Sequence, residues 1–205
     1  MSLPYDSNQA IAELSKVDKK LGKAIRRIGD FGLTPQRMEG TFETLARGII
    51  YQQLSGKAAG SIHGRVKDLF PRKRLKPELL LATGEETLRS AGMSRNKIAA
   101  VRDLAEKTID GTVPTLTKLK QLEDAEIIER LVQVRGIGQW TVEMLLMFRL
   151  GRPDVMPATD LGIRKGYMVL EGMEEMPKPA ELLTRTQHWA PWRSVASWYL
   201  YRLAD

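Results

Sequence analysis

A glycine-rich turn between two apolar segments constrains the fold of this sequence more than any other feature. The segment Leu131–Trp140 has the sequence LVQVRGIGQW, and Gly136-Ile137-Gly138 at its centre separates two runs of apolar residues at helical spacing. Glycine permits a positive φ and the close approach of another backbone. Such a turn points successive backbone N–H groups and a helix N-terminus outward, which suits a phosphate. The sequence therefore predicts a helical hairpin over residues 124–150 with an anion-binding tip.

Helical periodicity also dominates the rest of the chain. The only strand-like alternation, around Val155–Ala158, is too short to form a sheet. We therefore predict an all-α protein of about ten helices. One helix is expected over residues 11–28, and the last is expected to begin at Pro191. Ser55 and Ser94 are predicted N-caps.

Charge and residue content narrow the classes of function. The 205 residues include 32 Lys and Arg against 25 Asp and Glu, a net charge of +7 that suits a polyanionic partner but also fits a basic protein without one. The absence of cysteine excludes disulfides, iron–sulfur clusters and cysteine–zinc sites. There is no signal-peptide pattern, and the apolar runs are too short to cross a bilayer. We expect a cytoplasmic, nucleoid-associated protein with no membrane partner.

Five sequence blocks, spread in order over residues 35–205, carry the most specific functional signal. Together they are far more specific than a single Gly-x-Gly turn. They are IIYQQLSGKAAGSIHGR, AGMSRNKIAAVRDLA, VRGIGQWTVEMLLMF, MPATDLGIRKG and HWAPWRSVASWYLYR.

These blocks closely resemble the helix-hairpin-helix (HhH-GPD) superfamily of DNA glycosylases, and in particular its alkylpurine, or 3-methyladenine DNA glycosylase II, branch. The resemblance implies one glycosylase unit over residues 1–205 with a two-lobe all-α fold and no N-terminal β domain. Lobe A would comprise residues 35–135, and lobe B would combine residues 1–34 with residues 136–205. The implied partner is double-stranded DNA containing alkylated bases, bound by a monomer.

Asp160 matches the catalytic aspartate of this family, although the preceding Pro157-Ala158-Thr159 lacks the family's glycine–proline pair. Breaking an N-glycosidic bond develops positive charge on the deoxyribose. A carboxylate stabilises that charge and can orient or deprotonate the attacking water. An isolated aspartate at this position is more often a helix N-cap. The two roles are compatible, because a cap position also holds the carboxylate in place.

Trp140 occupies a position at which the related bifunctional glycosylases have a lysine that forms a Schiff base. The resemblance therefore implies a monofunctional hydrolase that removes 3-methyladenine and 7-methylguanine and leaves an abasic site. Tryptophan suits an electron-poor flipped base through stacking and cation–π attraction, whereas core packing is the alternative. The further base-pocket candidates are Tyr201, Tyr51 and Met144, of which Met144 also fits a core filler.

A flipped nucleotide leaves a gap in the base stack, and a side chain must fill it. The resemblance places this DNA wedge at the helix–turn junction around Gln53. Gln53 aligns best, and Leu54 is its neighbour. His63 is a third candidate, although a structural histidine is at least as common. A polar helix end with one core leucine remains the alternative for the junction.

The hairpin is also expected to hold the DNA backbone. The candidate contacts are Gly136, Gly138, Gln139 and Lys165. The chemistry requires no cofactor, but the resemblance implies a monovalent cation, Na⁺ or K⁺, on backbone carbonyls of the loop. The carbonyls that match are those of Val132, Val134 and Ile137.

Other functions remain open at this point. A non-catalytic binder of damaged or distorted DNA would keep the hairpin and would bind without excising a base. A bifunctional glycosylase for oxidised bases would need an amine nucleophile, which Trp140 does not supply. A basic helix-turn-helix regulator fits least well, because the Gly-Ile-Gly turn directs backbone amides rather than a recognition helix towards DNA.

Overall fold

The protein is all-helical, as predicted, with thirteen α-helices and no strand in residues 2–205, which this computed structural model describes. The number exceeds the prediction because the segment predicted as one helix over residues 11–28 forms two helices and because the helix Pro179–Arg185 was not predicted. The helices are α1 (Ser7–Val17), α2 (Lys19–Ile28), α3 (Thr41–Tyr51), α4 (Gly56–Asp68), α5 (Pro77–Ala82), α6 (Glu85–Ser90), α7 (Arg95–Ile109), α8 (Leu116–Leu119), α9 (Asp124–Leu131), α10 (Gln139–Leu145), α11 (Leu161–Glu171), α12 (Pro179–Arg185) and α13 (Arg193–Ala204).

Two compact units make up the chain. One, the terminal unit, contains the chain up to Arg37 together with Glu143–Asp205. The other, the central unit, is Met38–Val142. Residues 136–142 thus belong to the central unit, whereas the sequence assigned them to the lobe that contains the termini.

The core of the terminal unit is formed by α1, α2, α11 and α13. Its largest fully buried side chains include Trp189 and Tyr199. Helices α11 and α13 approach very closely at Gly166, where a Cβ atom would lie 2.0 Å from the carbonyl oxygen of Leu200. Only glycine permits this approach. The packing places Asp160, at the start of α11, and Tyr201, near the end of α13, in the same unit.

The predicted helix over residues 11–28 is wrong, because the chain breaks at Asp18. Asp18 has extended backbone angles (φ −135°, ψ 105°), and its Oδ1 accepts a hydrogen bond from the Leu21 amide at 2.9 Å. Its Oδ2 accepts one from Trp189 Nε1 at 2.9 Å and contacts His188 Nε2 at 3.3 Å. A partner 171 residues away thus stabilises the break, so local periodicity did not reveal it.

We expect Asp18→Ala to lower the free energy of unfolding by about 2–3 kcal/mol, because it removes a helix cap and leaves the buried Trp189 indole without its acceptor. Burial raises the pKa of Asp18, but the hydrogen bonds from Leu21, Trp189 and His188 outweigh it and leave the pKa below its ordinary value. The carboxylate therefore stabilises the fold above the unfolded-state pKa of about 3.9, and this contribution is lost as the pH falls through the lower folded-state pKa. Urea denaturation followed by circular dichroism measures the effect.

Asp18→Asn is the matched comparison: the amide oxygen keeps the cap, whereas the charge and the acceptor for Trp189 Nε1 are lost. The stability difference between this variant and the wild type should shrink as the pH is lowered from about 7 to below about 3.9. A difference that does not change with pH would contradict the role assigned to the charge.

In the central unit, α3 packs against α7 through apolar faces, and Leu45, Ile49 and Leu104 are buried there. The predicted N-caps are confirmed. Ser55 Oγ accepts a hydrogen bond from the Ala58 amide at 3.3 Å, and Ser94 Oγ accepts one from the Lys97 amide at 3.3 Å. These caps fix where α4 and α7 begin and therefore fix the turn between α3 and α4.

The last helix begins at Arg193, not at Pro191 as predicted. The Ala190–Pro191 peptide bond is cis, and Asp154 Oδ1 accepts a hydrogen bond from the Arg193 amide at 3.3 Å. Asp154 also forms a two-pronged ion pair with the Arg193 guanidinium, at 2.6 and 2.8 Å. The start of α13 is thus set by a loop 39 residues earlier, which no local pattern indicates.

Candidate functional site

The predicted hairpin is present in the central unit, where residues 132–138 join α9 to α10. Gly136 has φ +79°, in the left-handed region that favours glycine, and a Cβ atom there would lie 3.5 Å from Ala100 Cβ. Ile137 is buried, and its amide donates to the Val134 carbonyl at 3.0 Å. The flanking Gly136 and Gly138 are exposed. The buried Ile137 side chain thus holds the loop in place, and the tip of the loop at Gly136 and Gly138 faces solvent.

The backbone amides of the tip divide into two groups. The Arg135 amide donates to Asp103 Oδ2 at 2.7 Å, and Asp103 also pairs with Lys107 on the same helix, α7. Burial raises the pKa of Asp103, but the hydrogen bonds from Lys107 and Arg135 outweigh it and lower the pKa, so the carboxylate is charged at neutral pH. The exposed amides of Gly136 and Gly138 donate to no acceptor within residues 2–205. They can therefore bind an external anion.

The ligands available to a cation at the hairpin are backbone carbonyl oxygens. The Val134 carbonyl keeps a second lone pair after accepting from Ile137, whereas the Gly136 carbonyl accepts from Gln52 Nε2 at 2.8 Å. Residues 2–205 contain no group of three or more His, Cys, Asp or Glu side chains that could hold a metal. Carbonyl oxygens suit hard cations, so the donor set at Val132, Val134 and Ile137 fits Na⁺ or K⁺.

The turn between α3 and α4 carries two of the three wedge candidates at the surface. Gln53 has φ +56°, an uncommon left-handed conformation for a residue other than glycine. Gln53 is exposed, and Leu54 beside it has an exposed fraction of 39%. Exposed side chains on a tight turn have the reach that insertion into a base stack requires.

His63 and Tyr51, predicted for different tasks, lie together. Their ring centroids are 6.0 Å apart, with an interplanar angle of 70°. The Arg47 guanidinium lies 4.2 Å from the centre of the Tyr51 ring, a cation–π contact. Burial, followed by the charges of Lys67 and Arg47, lowers the pKa of His63, so the imidazole is neutral at neutral pH. This packing favours Gln53 and Leu54 over His63 as the wedge.

Trp140, the second residue of α10, has an exposed fraction of 45%. Trp140 is therefore not a fully buried core side chain. An exposed indole directly after an anion-binding turn offers an aromatic face to a ligand that the turn binds.

In the terminal unit, Asp160 is the N-cap of α11. Its Oδ1 accepts a hydrogen bond from the Ile163 amide at 3.0 Å, which holds the carboxylate in one orientation. A Cβ atom at Gly162 would lie 3.1 Å from Asp160 Oδ1 and 3.1 Å from the Tyr201 ring. The absence of a side chain at Gly162 thus lets Tyr201 pack beside the carboxylate.

Tyr201 and Met144 lie in the same unit as Asp160. The Tyr201 hydroxyl lies 3.7 Å from Met144 Sδ. Burial, followed by the charge of Asp160, a hydrogen bond to Asp160 and the charge of Glu143, raises the pKa of Tyr201. Tyr201 is therefore a neutral phenol at neutral pH, and its hydroxyl interacts with Asp160.

Lys165, the last predicted DNA-backbone contact, is exposed on α11 and donates from Nζ to the Ala204 carbonyl at 2.6 Å. Its ammonium thus interacts with the C-terminal end of α13. No helix in residues 2–205 has the length and apolar content needed to cross a membrane.

Several residues that shape the site escaped the sequence analysis. They are Lys97, Asp103, Glu143 and Gly162. Glu143 left the clearest signal in the sequence, because it is a lone carboxylate in an apolar run. In the structure this residue is only 5% exposed. The partners of the others lie far along the chain, so spacing alone did not reveal their contacts.

Comparisons with known proteins show the family to which the chain belongs. The profile of the HhH-GPD superfamily base excision DNA repair proteins matches residues 46–192. DNA-3-methyladenine glycosylase 1 of Schizosaccharomyces pombe is 38% identical over 204 residues, which cover 96% of this chain and 89% of that protein.

Two solved structures have the same fold. One is the Schizosaccharomyces pombe 3-methyladenine DNA glycosylase (Mag1) in complex with abasic DNA, with a TM-score of 0.80, 37% identity and 95% coverage of both chains. The other is the DNA-3-methyladenine glycosidase of Bacillus halodurans, with a TM-score of 0.90, 35% identity and coverage of 100% of this chain and 93% of that one. The chain therefore belongs to the HhH-GPD superfamily of base excision DNA repair proteins, in its alkylpurine DNA glycosylase branch. It is accordingly an enzyme of the hydrolase class.

Proposed function

We propose that this protein is a monofunctional DNA glycosylase that hydrolyses the N-glycosidic bond of alkylated purines in double-stranded DNA. Its substrates are 3-methyladenine and 7-methylguanine, and its product is an abasic site. One observation carries the proposal: Asp160 is held by the Ile163 amide beside the protonated Tyr201, in a chain whose hairpin has Trp140 where a nucleophilic lysine would stand. The names of the relatives support the alkylated-base specificity.

The hairpin binds the DNA backbone in this proposal. The amides of Gly136 and Gly138, with Gln139 at the N-terminus of α10, contact phosphate oxygens, and Lys165 contributes charge. These contacts carry no sequence information, and their strength falls with added salt. The loop carbonyls of Val132, Val134 and Ile137 would hold Na⁺ or K⁺, which would add positive potential towards the same phosphate.

Base flipping is assisted by the turn between α3 and α4. Gln53, or Leu54 beside it, fills the gap that the flipped nucleotide leaves. The flipped purine stacks on Trp140. Tyr51, Tyr201 and Met144 are the other residues that we propose for contact with the base. A cationic alkylated purine is attracted to the indole face more strongly than a neutral purine, which supports selectivity for the lesion.

Asp160 performs the chemistry. As the glycosidic bond breaks, positive charge develops on the sugar, and the carboxylate stabilises it and orients the attacking water. An alkylated purine already carries positive charge, so it leaves without a dedicated general acid. The Tyr201 phenol donates to the carboxylate and helps to hold it in position. Without an amine at position 140, water is the nucleophile and the DNA strand stays intact.

The purified protein is expected to release free 3-methyladenine and 7-methylguanine from methylated duplex DNA, because the Asp160 carboxylate stabilises the positive charge that develops on the sugar as the base leaves. Chromatography of the released bases measures this. The same reaction with borohydride should trap no covalent protein–DNA adduct, since no amine attacks the sugar.

Two outcomes would contradict the proposal. Tight binding to abasic DNA with no base released would make the protein a non-catalytic binder of damaged DNA. A borohydride-trapped adduct would make it a bifunctional enzyme. We further propose that the protein acts as a monomer in the cytoplasm, associated with the nucleoid.

A further inference from the structure

A partly buried hydrogen-bond network holds the turn that carries Gln53. Lys97, in the first turn of α7, donates from Nζ to the carbonyls of Ile50 at 2.6 Å and Gln52 at 2.9 Å. Both carbonyls belong to the C-terminal end of α3, where the last carbonyls of a helix have no helical partner and attract a cation. Lys97 therefore caps α3 from a different helix. Partial burial lowers the pKa of Lys97, because it disfavours the charged ammonium.

The Gln52 side chain extends this network to the hairpin. Its Nε2 donates to the Gly136 carbonyl at 2.8 Å, 84 residues away in sequence. Helix α7 also holds the other side of the hairpin, because Asp103 accepts the Arg135 amide. One helix therefore orients both the turn between α3 and α4 and the phosphate-binding tip.

Gln53 stands in a conformation that it does not favour by itself. Its φ of +56° lies in the left-handed region, which a glutamine adopts only when its surroundings impose it. The preceding residue, Gln52, is bound at its carbonyl by Lys97 and at its side chain by Gly136. These two contacts are the restraints that fix the direction in which the Gln53 side chain leaves the turn.

We propose that Lys97 and Gln52 are positioning residues that preset the wedge turn and link it to the hairpin that binds the DNA backbone. The proposal rests on the proposed function, because a wedge has a task only where a nucleotide is displaced. Neither residue touches the reacting atoms. They act by excluding alternative conformations of the turn. The free-energy cost of ordering the wedge is then met on folding and does not weaken DNA binding.

Lys97→Met tests the proposal, since methionine keeps an unbranched apolar stem and removes the donors. We expect the single-turnover rate of 7-methylguanine excision to fall about 10–100-fold, because a displaced wedge no longer stabilises the flipped nucleotide. The preference for abasic over undamaged duplex should fall about tenfold in fluorescence anisotropy. Affinity for undamaged duplex should stay within about twofold, because the phosphate contacts remain. Lys97→Arg should restore most of the preference.

Arg102→Met is the matched control for a structural effect. Arg102 lies on the same helix and caps α5 in the same way, donating to the carbonyls of Thr83 at 2.6 Å and Leu81 at 3.4 Å. This variant should lose stability without changing the preference for abasic DNA. Equal losses of preference in Lys97→Met and Arg102→Met would overturn the proposal.

Gln52→Met keeps the test open if Lys97→Met does not fold, because the Gln52 side chain lies near the surface. It should reduce the preference for abasic DNA in the same direction. In a Gln53→Gly background the loss of Lys97 should cost less than in the wild type, because the wedge side chain that Lys97 positions is already absent. Wild-type preference in Gln52→Met, or additive effects in the double variant, would overturn the proposal.

The binding and excision measurements separate this proposal from the proposed function. A wild type that prefers abasic DNA but releases no base, with the preference lost in Lys97→Met, would uphold the positioning role and refute the chemistry. A wild type with no preference for abasic DNA would refute the positioning role even if free base were released.

Discussion

Asp160→Asn is expected to lower the single-turnover rate of base excision by about 10³-fold, because it removes the charge that stabilises the oxocarbenium-like transition state. The amide oxygen of asparagine can still accept the hydrogen bond that the Ile163 amide gives to Asp160 Oδ1, so α11 keeps its cap. Affinity for abasic duplex should therefore change little. Quenched-flow excision of 7-methylguanine measures the rate, and fluorescence anisotropy measures the binding.

Asp6→Asn is the matched control. Asp6 is also an N-cap aspartate, accepting the Asn8 amide at 2.8 Å on α1, and it is exposed. This variant should excise at the wild-type rate. Asp160→Ala should lose activity as Asp160→Asn does and also about 1 kcal/mol of stability, because the cap is lost as well. Retention of the wild-type rate by Asp160→Asn would show that another group carries the catalysis.

Trp140→Ala is expected to lower excision of cationic alkylated purines by about 10–100-fold, because it removes stacking and the cation–π attraction together. Because the indole has an exposed fraction of 45%, its loss should cost less stability than the loss of a fully buried side chain, and the variant should still fold. The loss should be larger for 7-methylguanine than for a neutral lesion, which lacks the cation–π term. Single-turnover rates on the two substrates give the comparison.

Trp140→Phe should recover part of the rate, since phenylalanine keeps a smaller aromatic face. Val169→Ala is the control for the loss of an exposed apolar side chain, because Val169 on α11 has the same exposed fraction of 45%. Equal losses for cationic and neutral lesions in Trp140→Ala would leave stacking as its role and contradict the cation–π contribution.

Features set by adjacent residues were predictable from the sequence. The all-α class follows from apolar spacing, and the hairpin follows from Gly136 between two apolar runs, because the chain needs a residue that adopts positive φ there. The caps at Ser55 and Ser94 satisfy amides only three residues away. The break at Asp18 was not predictable, because its partner Trp189 comes from the other end of the chain.

The candidate site divides in the same way. The identity of Asp160 and the absence of a lysine at position 140 are matters of sequence, so the family and its chemistry could be inferred before the fold was known. Only the tertiary structure decided the surroundings of these residues. It placed Tyr201 beside Asp160, Lys97 under the turn of Gln53, and Gln52 against the hairpin. These contacts join residues 41 to 84 positions apart, and they depend on how whole helices pack, which no local pattern specifies.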